Sequence, residues 1–238
     1  MISERLFGEP LSAGLGKRLG IPFLRAQLEQ IELKVQDKLI HLDQSGLGVV
    51  GISTVVWDCG LYLVDYLMYK CEVDGFELGS CLDLGCGTGI CGLASLLLGA
   101  TKCTFSDKHV TACLTSNIEQ LPPDVLSRTQ VAEFDWTNDD VCLDLVSEKW
   151  DTILCSDILY EHRLHNSILA LLRQLTFRML ILSYKRRHDL EEKTFFSKLE
   201  SEYDVELVDK DSFRLVNMAS NDAVGIYILC ISMKPRPP

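Results

Sequence analysis

Short apolar stretches and longer amphipathic stretches alternate along the chain after residue 80. The short ones lack a regular polar alternation and read SCLDL, KCTFS, TQVAEF, DTILCS and RMLILSY. Apolar residues at helical spacing follow all of them except TQVAEF. Apolar strands without alternation are typical of a parallel sheet whose two faces are both covered. The pattern therefore predicts a doubly wound α/β fold.

The pattern changes at both ends of this region. At the C-terminal end, YDVELV and GIYILCISMK have no helical stretch between them, which predicts an antiparallel strand pair closing the sheet. Ahead of the region, Ile31, Leu33 and Val35 alternate with polar residues, and apolar positions resume at Leu39. This indicates an N-terminal β-hairpin. The stretch VVWDCGLYLVDYLMYK then predicts a helix with Asp58 as its N-cap.

The beginning of the chain has less regular patterning. Residues 1–25 contain four glycines and two prolines and predict an irregular arm. GLGVVGIS predicts a flexible connector, and KPRPP predicts a frayed tail. We therefore expect one structural unit in two parts, in which the arm, hairpin and helix of residues 1–79 pack on a core domain at 80–238.

The stretch DLGCGTGICG at residues 83–92 can be read in two frames. From Gly87 it matches the G-x-G-x-x-G fingerprint of dinucleotide-binding proteins. From Asp83 it matches the acidic-x-G-x-G-x-G turn of S-adenosylmethionine-dependent methyltransferases. Both cofactors also use an acidic residue at the end of the second strand, and Asp107 ends KCTFSD. Asp107 therefore does not discriminate between them, and it could also cap the helix that follows.

Three features favour the second frame. Asp83 lies within the predicted strand, where a buried carboxylate is costly unless a cofactor's ammonium balances it. The first glycine after the strand is Gly85, and the spacing from Gly85 is not that of the dinucleotide fingerprint. The closing strand pair is also typical of this methyltransferase class. Gly92 then has only a packing role, between helix and sheet.

Composition narrows the possible partners and compartments. The net charge is −11, which disfavours a nucleic-acid partner and suits a basic protein segment. The ten cysteines include no C-x-x-C pair, and MISERLFGEP lacks the apolar stretch of a secretion signal. We therefore expect the protein in a reducing intracellular compartment, in the cytoplasm and also in the nucleus. We also expect no membrane-spanning segment. His162 and His165 form H-x-x-H without further ligands, so we expect exposed histidines and no metal site.

Four patches, in order, resemble the seven-strand protein-lysine methyltransferases, especially those related to the enzyme acting on valosin-containing protein. VVWDCGLYLVDYL resembles their segment ahead of the first strand, and DLGCGTGICGLASLLLGA resembles their glycine loop and first helix. EFDW and SDILYEHRL resemble the segments after the third and fourth strands. SYKRRHDLEEKTFFSKLESEYDVELV is similar to the C-terminal stretch of the same enzyme. As departures, the family often has Glu in place of Asp83 and Ala or Gly in place of Cys86.

The resemblance implies a seven-strand Rossmann-like sheet, S-adenosylmethionine as the cofactor and a lysine of a specific protein as the substrate. A valosin-containing-protein-like AAA ATPase is one such substrate, and we expect the enzyme to be a monomer. The resemblance assigns Asp157 and Tyr160 to catalysis. It assigns cofactor contacts to Trp57, Asp83, Gly85, Cys86, Gly87, Asp107, Trp136 and Ser156. Tyr184 ends the fifth core strand, and we expect it to line the lysine channel.

Structural roles remain open for the same side chains. Trp57 could be a core anchor, Trp136 a sheet-edge aromatic and Ser156 a small residue at a crowded turn. Asp157 could cap a helix that starts near residue 161, with Tyr160 as an edge aromatic. The basic run at residues 185–187 could meet an acidic patch on a partner, or be a solvated loop.

Two other functions also remain open. One is a methyltransferase for a small molecule or nucleic acid, and the other is a non-catalytic partner-binding module on the same fold. Enzymes that methylate base amines usually carry Asn/Asp-Pro-Pro-Tyr/Phe after the fourth strand, whereas SDILY contains no proline. Together with the acidic charge, this disfavours a nucleic-acid substrate.

Overall fold

The computed structural model describes residues 2–7, 25, 27–45, 51–138 and 143–234. Most of the predicted arm, residues 46–50 of the predicted connector and the tail after residue 234 lie outside the described residues.

Helices and strands alternate through the core region, as the apolar pattern predicts. The helices are α1 (Ile2–Phe7), α2 (Asp58–Glu72), α3 (Ile90–Leu97), α4 (Ala112–Glu119), α5 (Pro123–Leu126), α6 (Leu143–Val146), α7 (His165–Leu172) and α8 (Asp189–Glu202). The strands are β1 (Gln30–Val35), β2 (Lys38–Asp43), β3 (Ser80–Leu84), β4 (Lys102–Asp107), β5 (Thr129–Glu133), β6 (Lys149–Ser156), β7 (Thr176–Lys185), β8 (Tyr203–Leu207) and β9 (Ile226–Met233).

Seven strands form one sheet in the order β5-β4-β3-β6-β7-β9-β8. The first five strands in this order are parallel, and β9 runs antiparallel to both β7 and β8. Every residue of β3 is buried, as expected for a central strand covered on both faces. The predicted α/β fold with a closing antiparallel pair is therefore confirmed. The order of strands reverses beside β3, which creates a crevice at the carboxyl ends of β3 and β6.

The predicted N-terminal hairpin is also confirmed, with β1 and β2 paired antiparallel. Leu33 and Val35 point to its buried side and are fully inaccessible. The backbone N–H of Asp43 donates to Asn117 Oδ1 at 2.6 Å, which joins the hairpin to α4. Asn217 joins it to α2, since its amide nitrogen donates to the Lys34 carbonyl at 2.9 Å and to Asp65 Oδ1 at 2.6 Å. The predicted boundary at residue 79 remains a prediction.

Residues 2–7 depart from the predicted irregular arm, because they form helix α1. Ile2 and Leu6 are buried in the same apolar cluster as Phe196. The Leu6 carbonyl accepts a hydrogen bond from Arg186 Nη1 at 2.9 Å. A six-residue helix is too short to be stable alone, so these tertiary contacts hold it in place.

The predicted helix cap at Asp58 is wrong, and Asp107 does not have the capping role that was left open for it. Asp58 is the first residue of α2 rather than its cap, and its side chain accepts from Arg25 at 2.7 Å. Asp107 does not cap α4, because the Thr111 side chain accepts from Leu114 N at that end. Both carboxylates are therefore available for other interactions.

Replacing Leu6 tests whether α1 belongs to the folded core. Leu6 is 1% exposed, so we expect Leu6→Ala to lower the free energy of unfolding by about 2–5 kcal/mol. Urea denaturation followed by circular dichroism measures this change. Leu190→Ala is the matched control, since Leu190 is 73% exposed and should change stability by less than about 0.5 kcal/mol. Equal stability of the two variants would show that α1 is not docked.

Candidate active site

A cleft of about 490 Å³ lies at the carboxyl ends of the central strands. Its walls come from the loops after β3, β4, β5 and β6 and from the segment ahead of α2. Open α/β sheets bind ligands at this place, where the strand order reverses. All predicted catalytic and cofactor-binding residues except Asp83 line it: Trp57, Gly85, Cys86, Gly87, Asp107, Trp136, Ser156, Asp157 and Tyr160.

The loop between β3 and α3 forms the floor of the cleft. Gly85 and Gly87 have φ angles of 71° and 54°, a left-handed conformation that glycine adopts without strain. The N–H groups of Gly85 and Cys86 both donate to the Ser106 carbonyl, at 2.8 and 3.0 Å. A Cβ atom on Gly85 would lie 3.0 Å from the Trp136 ring. The glycines therefore let the loop backbone form the wall of the cleft, close to Trp136.

Asp107 supports the same loop from the end of β4. Its Oδ2 atom accepts from the backbone N–H of Gly87 at 2.8 Å. A carboxylate has about four lone-pair sites, so Asp107 can still accept hydrogen bonds from a ligand in the cleft. This places an acceptor beside the glycine loop, as both frames of the glycine motif require.

Asp83 lies behind the loop, outside the cleft lining. It is 1% exposed, and its Oδ2 atom accepts from Gly92 N at 2.8 Å. Burial raises the pKa of Asp83 to about 7. The geometry favours a positioning role for Asp83, which holds the start of α3, over the predicted direct contact with the cofactor.

Gly92 has the packing role predicted for it. A Cβ atom there would lie 2.4 Å from the Phe105 ring and 2.9 Å from the Cys103 sulfur. Helix α3 therefore lies directly against β4.

The loop after β5 supplies an aromatic ring and a carboxylate. Trp136 and Asp135 both line the cleft, and Asp135 Oδ2 lies 2.8 Å from Lys108 Nζ. Burial alone would raise the pKa of Asp135, but hydrogen bonds from Lys108 and Thr137 lower it to about 2. Asp135 is therefore a carboxylate at neutral pH.

Asp157, directly after β6, has an uncommon backbone conformation. Its φ angle is 58°, in the left-handed region, and its N–H donates to the Ser183 carbonyl at 2.8 Å. Aspartate tolerates this conformation better than most residues, and such strain is concentrated at functional sites. The Asp157 carboxylate does not cap a helix. Instead, its two oxygens accept from Arg187 Nη1 and Nη2, each at 2.7 Å.

Other residues complete the rim and the upper wall. Tyr160 is 39% exposed, and burial of its inner part raises the pKa of its hydroxyl. The Trp57 indole nitrogen donates to the Ile52 carbonyl at 3.0 Å, which fixes the ring in the cleft wall. Ser156 lines the cleft between them, at the carboxyl end of β6.

The basic run at residues 185–187 does not form the predicted surface patch. Arg186 is 7% exposed and donates to Asp189 Oδ1 at 2.8 Å, while Arg187 pairs with Asp157. The sequence did not indicate this role for Arg187, because its partner Asp157 follows a different strand, β6. Tyr184 is fully buried against Phe196 and does not line the cleft, so its predicted place in a lysine channel is wrong.

The predicted exposed histidine pair is wrong for His165. It is 6% exposed, and its Nε2 atom lies 3.1 Å from the Leu159 carbonyl. Within the described part of the chain, no cluster of His, Cys, Asp and Glu could hold a metal ion. The same residues include no helix that is both long and apolar enough to cross a membrane.

The residues of the cleft fit S-adenosylmethionine. Loop backbone at Gly85 to Gly87 leaves room for close approach, Asp107 can accept from hydroxyl groups, and Trp136 offers a flat apolar surface. The strand order, the glycine loop after the first core strand and the cleft above it define the class of S-adenosylmethionine-dependent methyltransferases.

Solved structures share this fold. The glycopeptide N-methyltransferase MtfA, complexed with S-adenosyl-L-methionine, aligns with a TM-score of 0.52 and 13% identity over 74% of this chain and 94% of that chain. The methyltransferase domain of bacterial CtHen1 aligns with a TM-score of 0.50 and 12% identity, over 74% of this chain and 100% of its own. At these identities the similarity demonstrates the fold alone.

Sequence comparison identifies the family. The lysine methyltransferase family matches residues 34–202. Protein N-lysine methyltransferase METTL21A of Danio rerio is 30% identical over 71% of this chain and 77% of its own. EEF1A lysine methyltransferase 3 of Xenopus tropicalis is 28% identical over 86% of this chain and 90% of its own. The chain belongs to the lysine methyltransferase family, and the predicted enzyme class and cofactor are confirmed. The narrower resemblance to the enzyme of valosin-containing protein remains a prediction.

Asp83 should make stability depend on pH. Its pKa is about 7 in the folded chain and near 3.8 in the unfolded chain, so the folded chain binds the proton more tightly. The free energy of unfolding should therefore fall as the pH rises through this interval. Asp83→Asn keeps an acceptor for Gly92 but cannot titrate. Its free energy of unfolding, measured by urea denaturation, should therefore rise relative to that of the wild type by about 3–4 kcal/mol from about pH 4 to pH 7.

Asp151→Asn is the control for this experiment. Hydrogen bonds from Ser80 lower the pKa of Asp151 below 3.8, so Asp151 titrates below the interval tested. Its stability difference from the wild type should stay constant there. An equally constant difference for Asp83→Asn would contradict the raised pKa.

Proposed function

We propose that this chain transfers a methyl group from S-adenosylmethionine to the side-chain amine of a lysine in a specific protein. The observation that carries the proposal is the position of Asp157 and Tyr160. Both line the cleft that contains the glycine loop, in a chain of the lysine methyltransferase family. Methyl donor and lysine would therefore meet at the carboxyl end of β6.

The cofactor's parts are assigned along the cleft. The loop backbone at Gly85 to Gly87 would contact the cofactor, and Asp107 would accept from its ribose hydroxyls. Trp136 would flank the adenine, and Asp135 would accept from the adenine amine. Trp57 and Ser156 would lie toward the methionine end.

The reaction is an in-line displacement. S-adenosylmethionine supplies an electrophilic methyl group on a sulfonium. The lone pair of the amine nitrogen forms the new N–C bond as the C–S bond breaks, and the bonding electron pair stays on sulfur as a neutral thioether. The methylated nitrogen then carries a positive charge until it loses a proton to solvent. Because the methyl group is already activated, the protein contributes mainly by positioning the amine.

Asp157 and Tyr160 are proposed to orient the attacking amine. Each Asp157 oxygen uses one lone pair on Arg187 and keeps another for the amine hydrogens. The raised pKa of Tyr160 keeps its hydroxyl protonated at neutral pH, so it can also form a hydrogen bond with the amine. A lysine amine has an ordinary pKa near ~10.4 and must be neutral to attack, which a partly apolar cleft favours.

The substrate is proposed to be a folded protein. The similarity of the stretch SYKRRHDLEEKTFFSKLESEYDVELV to the enzyme of valosin-containing protein suggests a AAA ATPase of that type. The similarity to EEF1A lysine methyltransferase 3 of Xenopus tropicalis suggests EEF1A as another substrate to test. A cytoplasmic or nuclear location and a monomeric state belong to the same proposal, and all described cysteines are unpaired, as in a reducing compartment.

Asp107→Asn tests the cofactor assignment. Asparagine can still accept from Gly87 N, but it lacks the charge that strengthens hydrogen bonds from ribose hydroxyls. We expect S-adenosylmethionine to bind about tenfold more weakly, as measured by calorimetry. Asp124→Asn, at an exposed position on α5, should leave the affinity unchanged. Unchanged affinity in Asp107→Asn would place the ribose elsewhere.

Asp157→Asn tests the catalytic assignment. Asparagine tolerates the left-handed backbone at this position but removes the carboxylate that orients the amine. We expect methyl transfer to fall at least about 100-fold while the affinity for S-adenosylhomocysteine, which is neutral at this position, changes less than about threefold. Transfer is measured with radiolabelled methyl donor, on a lysate and on purified AAA ATPase and EEF1A. Arg173→Met, which removes an exposed ion pair with Glu202, is the activity control.

Mass spectrometry of the labelled protein identifies the methylated residue. A methyl-lysine that appears with the wild type and disappears with Asp157→Asn would support the proposal. Label on histidine, on nucleic acid or only on small molecules would overturn it. No transfer at all, with S-adenosylmethionine still bound, would favour a non-catalytic binding module.

A further inference from the structure

Asp157 is part of an ion pair that the proposed mechanism does not explain. The Arg187 guanidinium binds both carboxylate oxygens in a bidentate geometry, at 2.7 Å each. Asp157 is 8% exposed and Arg187 is 29% exposed, and both line the cleft. The reactive end of the cleft therefore presents a carboxylate whose charge is already balanced.

The arginine comes from a well-anchored segment. The backbone N–H groups of Arg187 and His188 donate to Glu192 Oε1, at 2.8 and 2.9 Å. Glu192 is 1% exposed and lies in the first turns of α8. Arg187 Nη1 also donates to the Lys185 carbonyl at 3.0 Å. These hydrogen bonds therefore fix the Arg187 backbone and its guanidinium independently of the contact with Asp157.

Few other charges face the pair. Cys59 on α2 contacts this region, and burial raises the pKa of its thiol well above the usual value, so it is neutral. Tyr160 is neutral as well, and Glu161, an acidic side chain in the nearby lining, forms an ion pair with Arg163. Asp58 is paired with Arg25 and lies 3.7 Å from Lys185, while Glu192 faces the backbone at the start of α8. The nearby acidic side chains of Asp58, Glu161 and Glu192 therefore have partners of their own, and Arg187 is the charged partner of Asp157.

We propose that Arg187 is a positioning residue for methyl transfer, which orients Asp157 and cancels its charge so that the cleft accepts an amine in its neutral form. This inference rests on the proposed function. An unpaired carboxylate at this position would stabilise the ammonium form of lysine, which has no lone pair for attack. The pair keeps hydrogen-bond acceptors on Asp157 without that penalty. The bidentate contact also sets the carboxylate plane, which a single point charge would not do.

Ligand binding tests this without knowledge of the substrate. Sinefungin resembles S-adenosylmethionine but carries an amino-bearing carbon in place of the methylated sulfonium, whereas S-adenosylhomocysteine has a neutral thioether there. Both Kd values are measured by calorimetry at neutral pH. The Kd of sinefungin divided by the Kd of S-adenosylhomocysteine then reports how strongly the site favours or disfavours an ammonium group over a neutral one. Arg187→Met should lower this ratio about tenfold, since it leaves Asp157 unpaired. Arg187→Lys retains the charge and should stay within about threefold of the wild type.

Asp157→Asn gives the opposite change. It leaves Arg187 unpaired, so the ratio should rise at least about threefold. This variant also decides the question where Arg187→Met is too unstable to bind S-adenosylhomocysteine. Arg173→Met should leave the ratio unchanged, because its partner Glu202 lies outside the cleft lining.

The outcomes separate the two proposals. A purely structural residue affects the binding of both ligands equally, so its replacement leaves the ratio of the two Kd values unchanged. The role of Arg187 is overturned if this ratio stays within about twofold of the wild type in Asp157→Asn, and also in Arg187→Met when that variant binds the ligands. Lysine methylation by the wild type with an unchanged ratio overturns this inference alone. A changed ratio without lysine methylation overturns the proposed function alone.

Discussion

The close contact between the β3–α3 loop and strand β4 is the constraint on which the site depends. The Ser106 carbonyl accepts from two successive loop N–H groups, and the Asp107 carboxylate accepts from Gly87. On the buried side, Asp83 accepts from Gly92, where no side chain would fit against Phe105. These contacts hold the glycine-rich backbone in one conformation. The cleft can therefore present main chain, instead of side chains, to a cofactor.

The acidic residues of the site are of two kinds, one buried without a charged partner and two paired with a cationic side chain. Behind the loop, Asp83 is buried with one backbone donor, and burial raises its pKa to about 7. In the cleft, Asp135 and Asp157 each have a cationic partner, Lys108 and Arg187. Burial of a carboxyl group without a charged partner raises its pKa, whereas the hydrogen bonds from Lys108 and Thr137 lower the pKa of Asp135 to about 2. Asp135 therefore stays a carboxylate acceptor at neutral pH, while the packing beneath the cleft is sensitive to pH.

Several predicted features failed where a distant part of the chain decides the local structure. Residues 2–7 have no strong helical pattern, yet Leu6 is buried among residues of α8, and the contact stabilises a helix. Arg187 looked like one cation of a surface run, but its partner is Asp157, thirty positions away in the sequence. Tyr184 was expected beside the cleft because it ends a strand, but its side chain is fully buried against Phe196 of α8.

The sequence by itself determined the order of strands and helices, the hairpin, the antiparallel closing pair and most of the cleft lining. These follow from local periodicity and from motifs at strand ends, and parallel strands bring their carboxyl ends together wherever the fold forms. Only the tertiary structure decided which charges meet. It placed Asp83 behind the loop, joined Asp157 to Arg187 and docked α1. Ion pairing and burial depend on distances between segments far apart in the chain, and no local pattern encodes those distances.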